Sequence, residues 1–346
     1  MQSSQQRDQD PLTSEKRNSE LNFKREKPSG SLEKPLVSPF LAHSLGSIDF
    51  VFASYCQRHN MVIALCSYCI LKFYDAATFL PIEARQSHKL DDFVTAMSYN
   101  DETDTFVLGC RSGSLDAYNA QIDELRLLRK HEKMIRTITF MNSAFCAFSM
   151  LDSCELAIGA LDNETVCKFE LGSGPIISLY QMPQENFLFL GLNNGCVRVL
   201  NNTKRVPRLQ TLSLIRAHQA GKMVTAIQSV VINGKEHVVT TSEDRSVKIW
   251  CWIKGRWRLL RVIQTKRAVD SFVYLENYRM VAVACEGFNE IGFFKLPSEK
   301  LETTFCCEFD AKGLFMMKDK NMIGFLNDMG LFGNSIEFVQ LHPKEK

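Results

Sequence analysis

The feature that most constrains this chain is a period of about 43 residues in its short apolar runs. Runs rich in β-forming residues alternate with clusters of Asn, Asp, Gly and Ser, and helical periodicity is nearly absent after Pro35. The candidate first strands of successive units begin near Ile48, Val94, Ile135, Ile176, Val224, Val269 and Leu314. Seven short units that cannot fold alone predict a ring of seven four-stranded sheets.

Five hexads inside these units can be aligned with one another: ILKFYD (70–75), SLDAYN (114–119), CVRVLN (196–201), SVKIWC (246–251) and EIGFFK (290–295). Apolar residues occupy the second, fourth and fifth places, and a variable residue lies between them. Five matches at this spacing indicate a true repeat. The third unit leaves two choices for the corresponding strand, because 154–160 and 165–171 fit it equally well.

The segment VVTTSEDRSVKIW (238–250) resembles the WD40 repeat signature, and four of the seven histidines (His43, His88, His131 and His218) lie where that family places a Gly-His pair. Their spacings of 45, 43 and 87 residues are one, one and two periods. None follows a glycine, and the chain has no Trp-Asp dipeptide. The resemblance implies an all-β, seven-bladed β-propeller of four-stranded antiparallel blades. It assigns a hydrogen-bonded lock, which holds one blade, to His218, Thr240, Asp244 and Trp250.

The two ends of the chain differ in composition from the repeats. Residues 1–34 are mostly polar and charged, which predicts a disordered N-terminal arm before a propeller over 35–346. At the other end, the sequence of the seventh unit has no run that fits the outermost strand of a blade. The segment PLVSPFLAH (35–43) is therefore predicted to supply that strand and to close the ring.

Motifs for catalysis and for metal binding are not found in the sequence. It has no P-loop, GxSxG, HExxH or EF-hand pattern, so we expect no enzyme activity, cofactor, metal or small-molecule substrate. Cys66 and Cys69 form a lone CxxC, which favours two buried thiols beside a hairpin turn over zinc, and the same holds for Cys306 and Cys307. Twelve cysteines without an apolar leader predict an intracellular protein, cytoplasmic or nuclear.

The family resemblance implies a non-catalytic scaffold or adaptor that binds proteins or peptides within a multiprotein complex. Family members bind ligands on the face that carries the turns after each second strand and the entries to each first strand. In this sequence the matching positions are Arg111, Arg136, Glu243 and Arg245. The net charge of +2 argues against a polycationic coat for nucleic acid.

Two alternative functions remain open at this point. Residues 245–269 contain eight basic residues, three tryptophans and no acid, and include Lys254, Arg256, Arg258 and Arg261. Such a patch can bind RNA, an acidic protein surface or anionic lipid, or it can simply prevent edge-to-edge pairing of an exposed strand. A substrate receptor of a cullin-type ubiquitin ligase is the other alternative, although Tyr74-Asp75-Ala76-Ala77 lacks the arginine of the box such receptors carry.

Overall fold

The computed structural model describes residues 37–47, 50–161, 166–182, 185–203, 208–296, 298, 300–328 and 334–343. These residues form seven four-stranded antiparallel sheets arranged as the blades of a ring. The described part of the chain contains two short 3₁₀ turns, Glu276–Tyr278 and Lys318–Lys320, and no α-helix. Neither turn is long enough to span a membrane. The all-β, seven-bladed propeller predicted from the sequence is confirmed. The predicted arm, 1–34, lies outside the described residues.

Each blade takes four strands in chain order, except that the last blade also uses the first strand. Blades 1 to 3 consist of β2 (Phe50–Cys56), β3 (Met61–Cys66), β4 (Ile70–Asp75) and β5 (His88–Lys89); β6 (Val94–Asn100), β7 (Thr105–Cys110), β8 (Ser114–Asn119) and β9 (Glu124–Lys130); and β10 (Ile135–Phe140), β11 (Phe145–Met150), β12 (Glu155–Ala160) and β13 (Val166–Glu170).

Blades 4 to 7 follow the same order around the ring. They consist of β14 (Ile176–Gln181), β15 (Phe187–Leu192), β16 (Cys196–Thr203) and β17 (Arg208–Arg216); β18 (Val224–Ile232), β19 (Lys235–Ser242), β20 (Ser246–Ile253) and β21 (Arg256–Gln264); β22 (Val269–Leu275), β23 (Met280–Cys285), β24 (Glu290–Lys295) and β25 (Leu301–Cys306); and β26 (Asp310–Met317), β27 (Met322–Asp328), β28 (Asn334–Pro343) and β1 (Val37–Ser47).

The seventh blade closes the ring with strands from both ends of the described chain. β1 pairs antiparallel with β28, from Val37 opposite Pro343 to Ser47 opposite Ser335, and becomes the outermost strand. The predicted closure by the segment ending at His43 is confirmed, and the strand runs four residues further, to Ser47.

The predicted strand starts are right for five blades and shifted in blade 7. β26 begins at Asp310 rather than Leu314, because a register irregularity between Lys312 and Phe315 places Leu314 inside a bulge. Ile48 lies outside the described residues, directly before β2. In blade 3 the two competing runs are both strands: β12 is third, and β13 pairs beside it as the fourth.

The core lies between the blades. The second strands of blades 1 and 2 are buried at every residue, since neighbouring blades cover both faces of each sheet. Each of the seven blade–blade interfaces has its own apolar cluster. Hydroxyl groups add bonds across some interfaces: Ser178 donates to the Val224 carbonyl at 2.9 Å, and Thr225 donates to that of Val269 at 2.9 Å.

Candidate protein-interaction face

Blade 5 carries a buried chain of four hydrogen-bonded side chains. Trp250 Nε1 donates to Thr240 Oγ1 at 2.9 Å, and Thr240 Oγ1 lies 2.8 Å from His218 Nε2. His218 Nδ1 lies 2.9 Å from an Asp244 carboxylate oxygen. The sequence grouped these four residues by resemblance, and the structure brings all of them together.

Burial and hydrogen bonding set the pKa values of the two titratable side chains in this group, His218 and Asp244. The buried position of His218 lowers its pKa to about 4, even though the Asp244 carboxylate acts in the opposite direction. Burial alone would raise the pKa of Asp244, but hydrogen bonds from Ser246, Gln219 and His218 outweigh it and hold that pKa below its ordinary value. At neutral pH His218 is therefore neutral: its Nδ1–H donates to Asp244 and its Nε2 accepts from Thr240.

One face of the ring collects two kinds of loop. Because adjacent strands of a blade are antiparallel, the end of each second strand and the start of each first strand lie at the same edge of the sheet. We call this edge, taken over all blades, the entry face. It includes the lock of blade 5, where the Glu243 amide donates to the Met223 carbonyl at 3.2 Å and so joins the two loops.

The family resemblance assigned four side chains to ligand contact. They differ in their exposure and in the hydrogen bonds that they already make. Arg111 is exposed in the turn after β7, and Arg136 is half-buried at the second residue of β10. Arg245 is exposed at a turn position with a φ of 64°. The Glu243 carboxylate already accepts the Met223 amide at 3.3 Å, so part of its hydrogen-bonding capacity is used inside the loop.

Exposed apolar side chains mark the same face at blades 1 to 3. Tyr68, in the turn after β3, is 74% exposed, and Phe93, directly before β6, is 50% exposed. Leu151, in the turn after β11, is also exposed. Backbone hydrogen bonds connect these loops. The Leu90 amide donates to the Cys69 carbonyl at 2.7 Å, and the Arg111 amide donates to the Phe93 carbonyl at 2.8 Å. Sequence reasoning missed these residues, although an aromatic residue directly after a polar one, as in Ser67-Tyr68 and Asp92-Phe93, was the available signal.

The basic patch of blade 5 lies elsewhere, on the outer hairpin. Lys254 is in the turn between β20 and β21, and Arg256, Arg258 and Arg261 follow along β21; all four are exposed. The neighbouring aromatic residues pack inward: the ring of Trp257 lies 5.1 Å from that of Trp252 and 5.2 Å from that of Phe189. Trp250 is in the lock, so only Trp252 keeps a substantial exposed face for stacking on a base.

Two smaller assignments are tested by burial. Cys66 is buried and Cys69 half-buried on either side of the turn from β3 to β4, close to the arrangement predicted for the CxxC pair. For the second pair the prediction was half wrong, because Cys307 is buried but Cys306 is exposed at the end of the outer strand β25. The last residue of an edge strand has no blade packed over it.

The comparisons with known proteins agree with the fold. No family model matches the chain, and no curated protein matches it. Among solved structures, it is similar to the Cps50 (Swd1) β-propeller domain from Myceliophteria thermophila, with a TM-score of 0.72 and 8% sequence identity, over 88% of this chain and 100% of that one. At this identity the similarity establishes the propeller fold alone.

Proposed function

We propose that this protein is a non-catalytic adaptor that binds a protein partner through the entry face at blades 1 to 3, within a multiprotein complex. The observation that carries the proposal is the exposure of Tyr68 and Phe93 on that face. Aromatic residues with arginine are typical of the few side chains that dominate binding energy in protein interfaces.

The charges around these aromatic residues favour a peptide with mixed polar groups over a purely acidic ligand. Arg111 lies beside Phe93, but Asp91 and Asp92 precede Phe93 in the same loop. The Asp92 carboxylate accepts the Ser112 amide and so stiffens the loop that presents Phe93. A rigid aromatic residue loses little conformational entropy when a partner covers it.

The test is affinity purification of the intact protein from its own cells with the triple variant Tyr68→Ser, Phe93→Ser and Arg111→Glu. The matched control reverses three charges on the outer hairpin: Arg256→Glu, Arg258→Glu and Arg261→Glu. All three proteins are compared with and without nuclease, and circular dichroism establishes that each variant retains its β-structure.

We expect a stoichiometric protein partner that the wild type and the hairpin variant recover and that the entry-face variant loses by at least about tenfold. Recovery that is unchanged in the entry-face variant would refute the assignment of the face. Recovery that nuclease abolishes and that only the hairpin variant loses would instead make this an RNA-binding propeller. The observation favouring that second candidate is the row of exposed cations on β21.

The ubiquitin-ligase alternative has weaker support. The Tyr74 ring is buried and lies 6.1 Å from that of Phe50, and the Asp75 carboxylate accepts the amides of Ala77 and Thr78. Both side chains are thus used inside blade 1. An intracellular location, in the cytoplasm or nucleus, belongs to the same proposal, and its support is that no disulfide joins any of the twelve cysteines, all of which lie in the described residues.

A further inference from the structure

A cluster of three different metal-ligand types lies where blades 1 and 2 meet. Cys56 ends β2, His59 is in the following turn, and Asp104 is in the turn between β6 and β7. The thiol sulfur, an imidazole nitrogen and a carboxylate oxygen all lie within 4.8 Å of one another. These turns follow first strands, so the cluster is on the face opposite the entry face.

The cluster has a buried floor and an accessible side. Asp104 is 1% exposed and Cys56 is fully buried, whereas 26% of the His59 side chain is exposed. Tyr99 Oη donates to Asp104 Oδ1 at 2.7 Å and fixes the plane of the carboxylate. The other oxygen, Oδ2, is bonded to His59 Nε2 on the accessible side. An ion could therefore enter past His59 without disturbing the Tyr99 bond.

We propose that Cys56, His59 and Asp104 bind one zinc ion. Thiolate, imidazole and carboxylate are the three ligand types that zinc uses in proteins, and one water molecule would complete a tetrahedron. The charges of one thiolate and one carboxylate balance the ion, so a neutral unit would replace the buried carboxylate charge. Tyr99 would orient the carboxylate from outside the coordination sphere, as partners of metal ligands usually do.

The proton balance of the step is simple. The Cys56 thiol gives its proton to solvent as the sulfur–zinc bond forms. His59 Nε2–H donates to Asp104 in the metal-free site. As the nitrogen–zinc bond forms, this proton leaves Nε2 for solvent and Nδ1 takes one up from solvent, so the imidazole stays neutral and one proton is released overall. The ion replaces two hydrogen bonds to Asp104, one from His59 and one from the Cys56 thiol. Because the ligands come from two blades, bound zinc would connect the blade 1 and blade 2 turns and stabilise their interface.

A second cluster in the same two blades provides a comparison without a thiol. His88 Nε2 lies 2.9 Å from Asp123 Oδ1, and Tyr118 Oη donates to the same oxygen at 2.8 Å. It has the histidine, tyrosine and aspartate of the first cluster but no cysteine, and it is not among the groups of three metal ligands in the described residues. Metal binding that depends on Cys56 would therefore distinguish the two.

The test is titration of the full-length, metal-free protein with Co²⁺ and then Zn²⁺, under reducing conditions. A thiolate–cobalt charge-transfer band reports directly on a cysteine ligand. We expect one Co²⁺ per chain with this band, its loss when Zn²⁺ is added, and a zinc-dependent rise in Tm. The variants are Cys56→Ser and His59→Gln, and the matched control is Cys306→Ser, which changes an exposed thiol.

Each variant has a defined expectation. Cys56→Ser should lose the charge-transfer band, His59→Gln should weaken binding by at least about tenfold, and Cys306→Ser should change neither. Because Cys56 is buried, circular dichroism accompanies its variant; should that variant unfold, the turn variant His59→Gln decides the outcome. A band that survives in Cys56→Ser, an unchanged affinity in His59→Gln, or the lack of stoichiometric binding to the wild type would overturn the proposal.

Discussion

Blades 5 and 2 differ in the residues that bond to the histidine preceding their first strand. His218 comes six residues before the first strand of blade 5, and His88, at the end of blade 1, comes six residues before the first strand of blade 2. In blade 5 the histidine bonds to Asp244 and Thr240, but in blade 2 Leu108 and Ser112 occupy those two places. His88 therefore has neither partner there, and it bonds to Asp123 in the turn between the third and fourth strands.

The tryptophan position shows the same exchange. Tyr118 occupies the place of Trp250 in the aligned strands, and its hydroxyl donates to Asp123 at 2.8 Å rather than to a threonine. The side chains of His218 and Asp244 are 0% and 7% exposed, while those of His88 and Asp123 are 16% and 30% exposed. Both places thus contain a histidine–aspartate hydrogen bond, but the two bonds differ in their position on the blade and in their exposure to solvent.

The difference in burial predicts the largest contrast when each histidine is removed. His218→Ala removes a partner from Asp244, Thr240 and Ser246 and should lower the free energy of unfolding by about 3 to 4 kcal/mol. His88→Ala, in the wetter cluster, should cost about 1 kcal/mol. Urea denaturation of both variants measures the difference, and equal losses would contradict the view that burial distinguishes the two blades.

The second contrast is in pH dependence. Since the pKa of His218 is about 4 when folded and about 6.5 when unfolded, the unfolded chain binds the extra proton between these values. Stability should therefore fall as the pH drops from about 6.5 to about 4, by an amount on the order of 3 kcal/mol from this residue.

The control for this pH effect is His218→Gln, which cannot titrate at the same place. Its stability should be lower at neutral pH and should change less between about pH 6.5 and pH 4 than that of the wild type. Parallel pH profiles of Tm for the two proteins would show that His218 does not protonate on unfolding in this range.

The third contrast removes one oxygen atom. Thr240→Val keeps the side-chain shape but leaves Trp250 Nε1 and His218 Nε2 without their shared partner, at a cost of about 2 kcal/mol. Leu108→Val, at the matching place in blade 2, loses a methylene and no hydrogen bond, and should cost about 1 kcal/mol. Chemical denaturation compares the two, and a smaller loss for Thr240→Val would argue against the bonded chain.

An effect as small as those of His88→Ala and Leu108→Val is expected for Tyr118→Phe. This change removes the hydroxyl that donates to Asp123 and accepts from Arg85, while the ring keeps its stack on Phe73 at 5.1 Å. We expect a loss of about 1 kcal/mol, measured as a shift in Tm. A loss as large as that of Thr240→Val would mean that the blade 2 cluster contributes as much as the lock.

Much of the fold could be predicted because every blade repeats one pattern of burial. The second and fourth places of all five hexads are buried, as at Leu71 and Phe73, which lie on one face of the sheet and point into the same interface, between blades 1 and 2. The fifth place is buried in four hexads, and Phe294 is the half-buried exception. The bulge in blade 7 could not be predicted, because an irregular pairing leaves no periodic signal.

The candidate site was less predictable, because exposure in a loop depends on contacts distant in sequence. Leu90 and Phe93 lie in one loop, yet Leu90 is buried in the cluster of blades 1 and 2 and Phe93 projects outward. The partner of His88 is 35 residues away in a different blade. Strand polarity predicts which face a loop occupies, but not which of its side chains folds back.

Closure by β1 also has a consequence for how the protein is made. During synthesis β1 leaves the ribosome among the first segments of the propeller, while its partner β28 leaves among the last. At a translation rate of about 5–20 residues per second, β1 waits for tens of seconds with an unpaired edge. During that interval the backbone N–H and C=O groups of β1 are unpaired and could pair with another chain. A chaperone or transient contacts within the nascent chain would have to prevent this pairing.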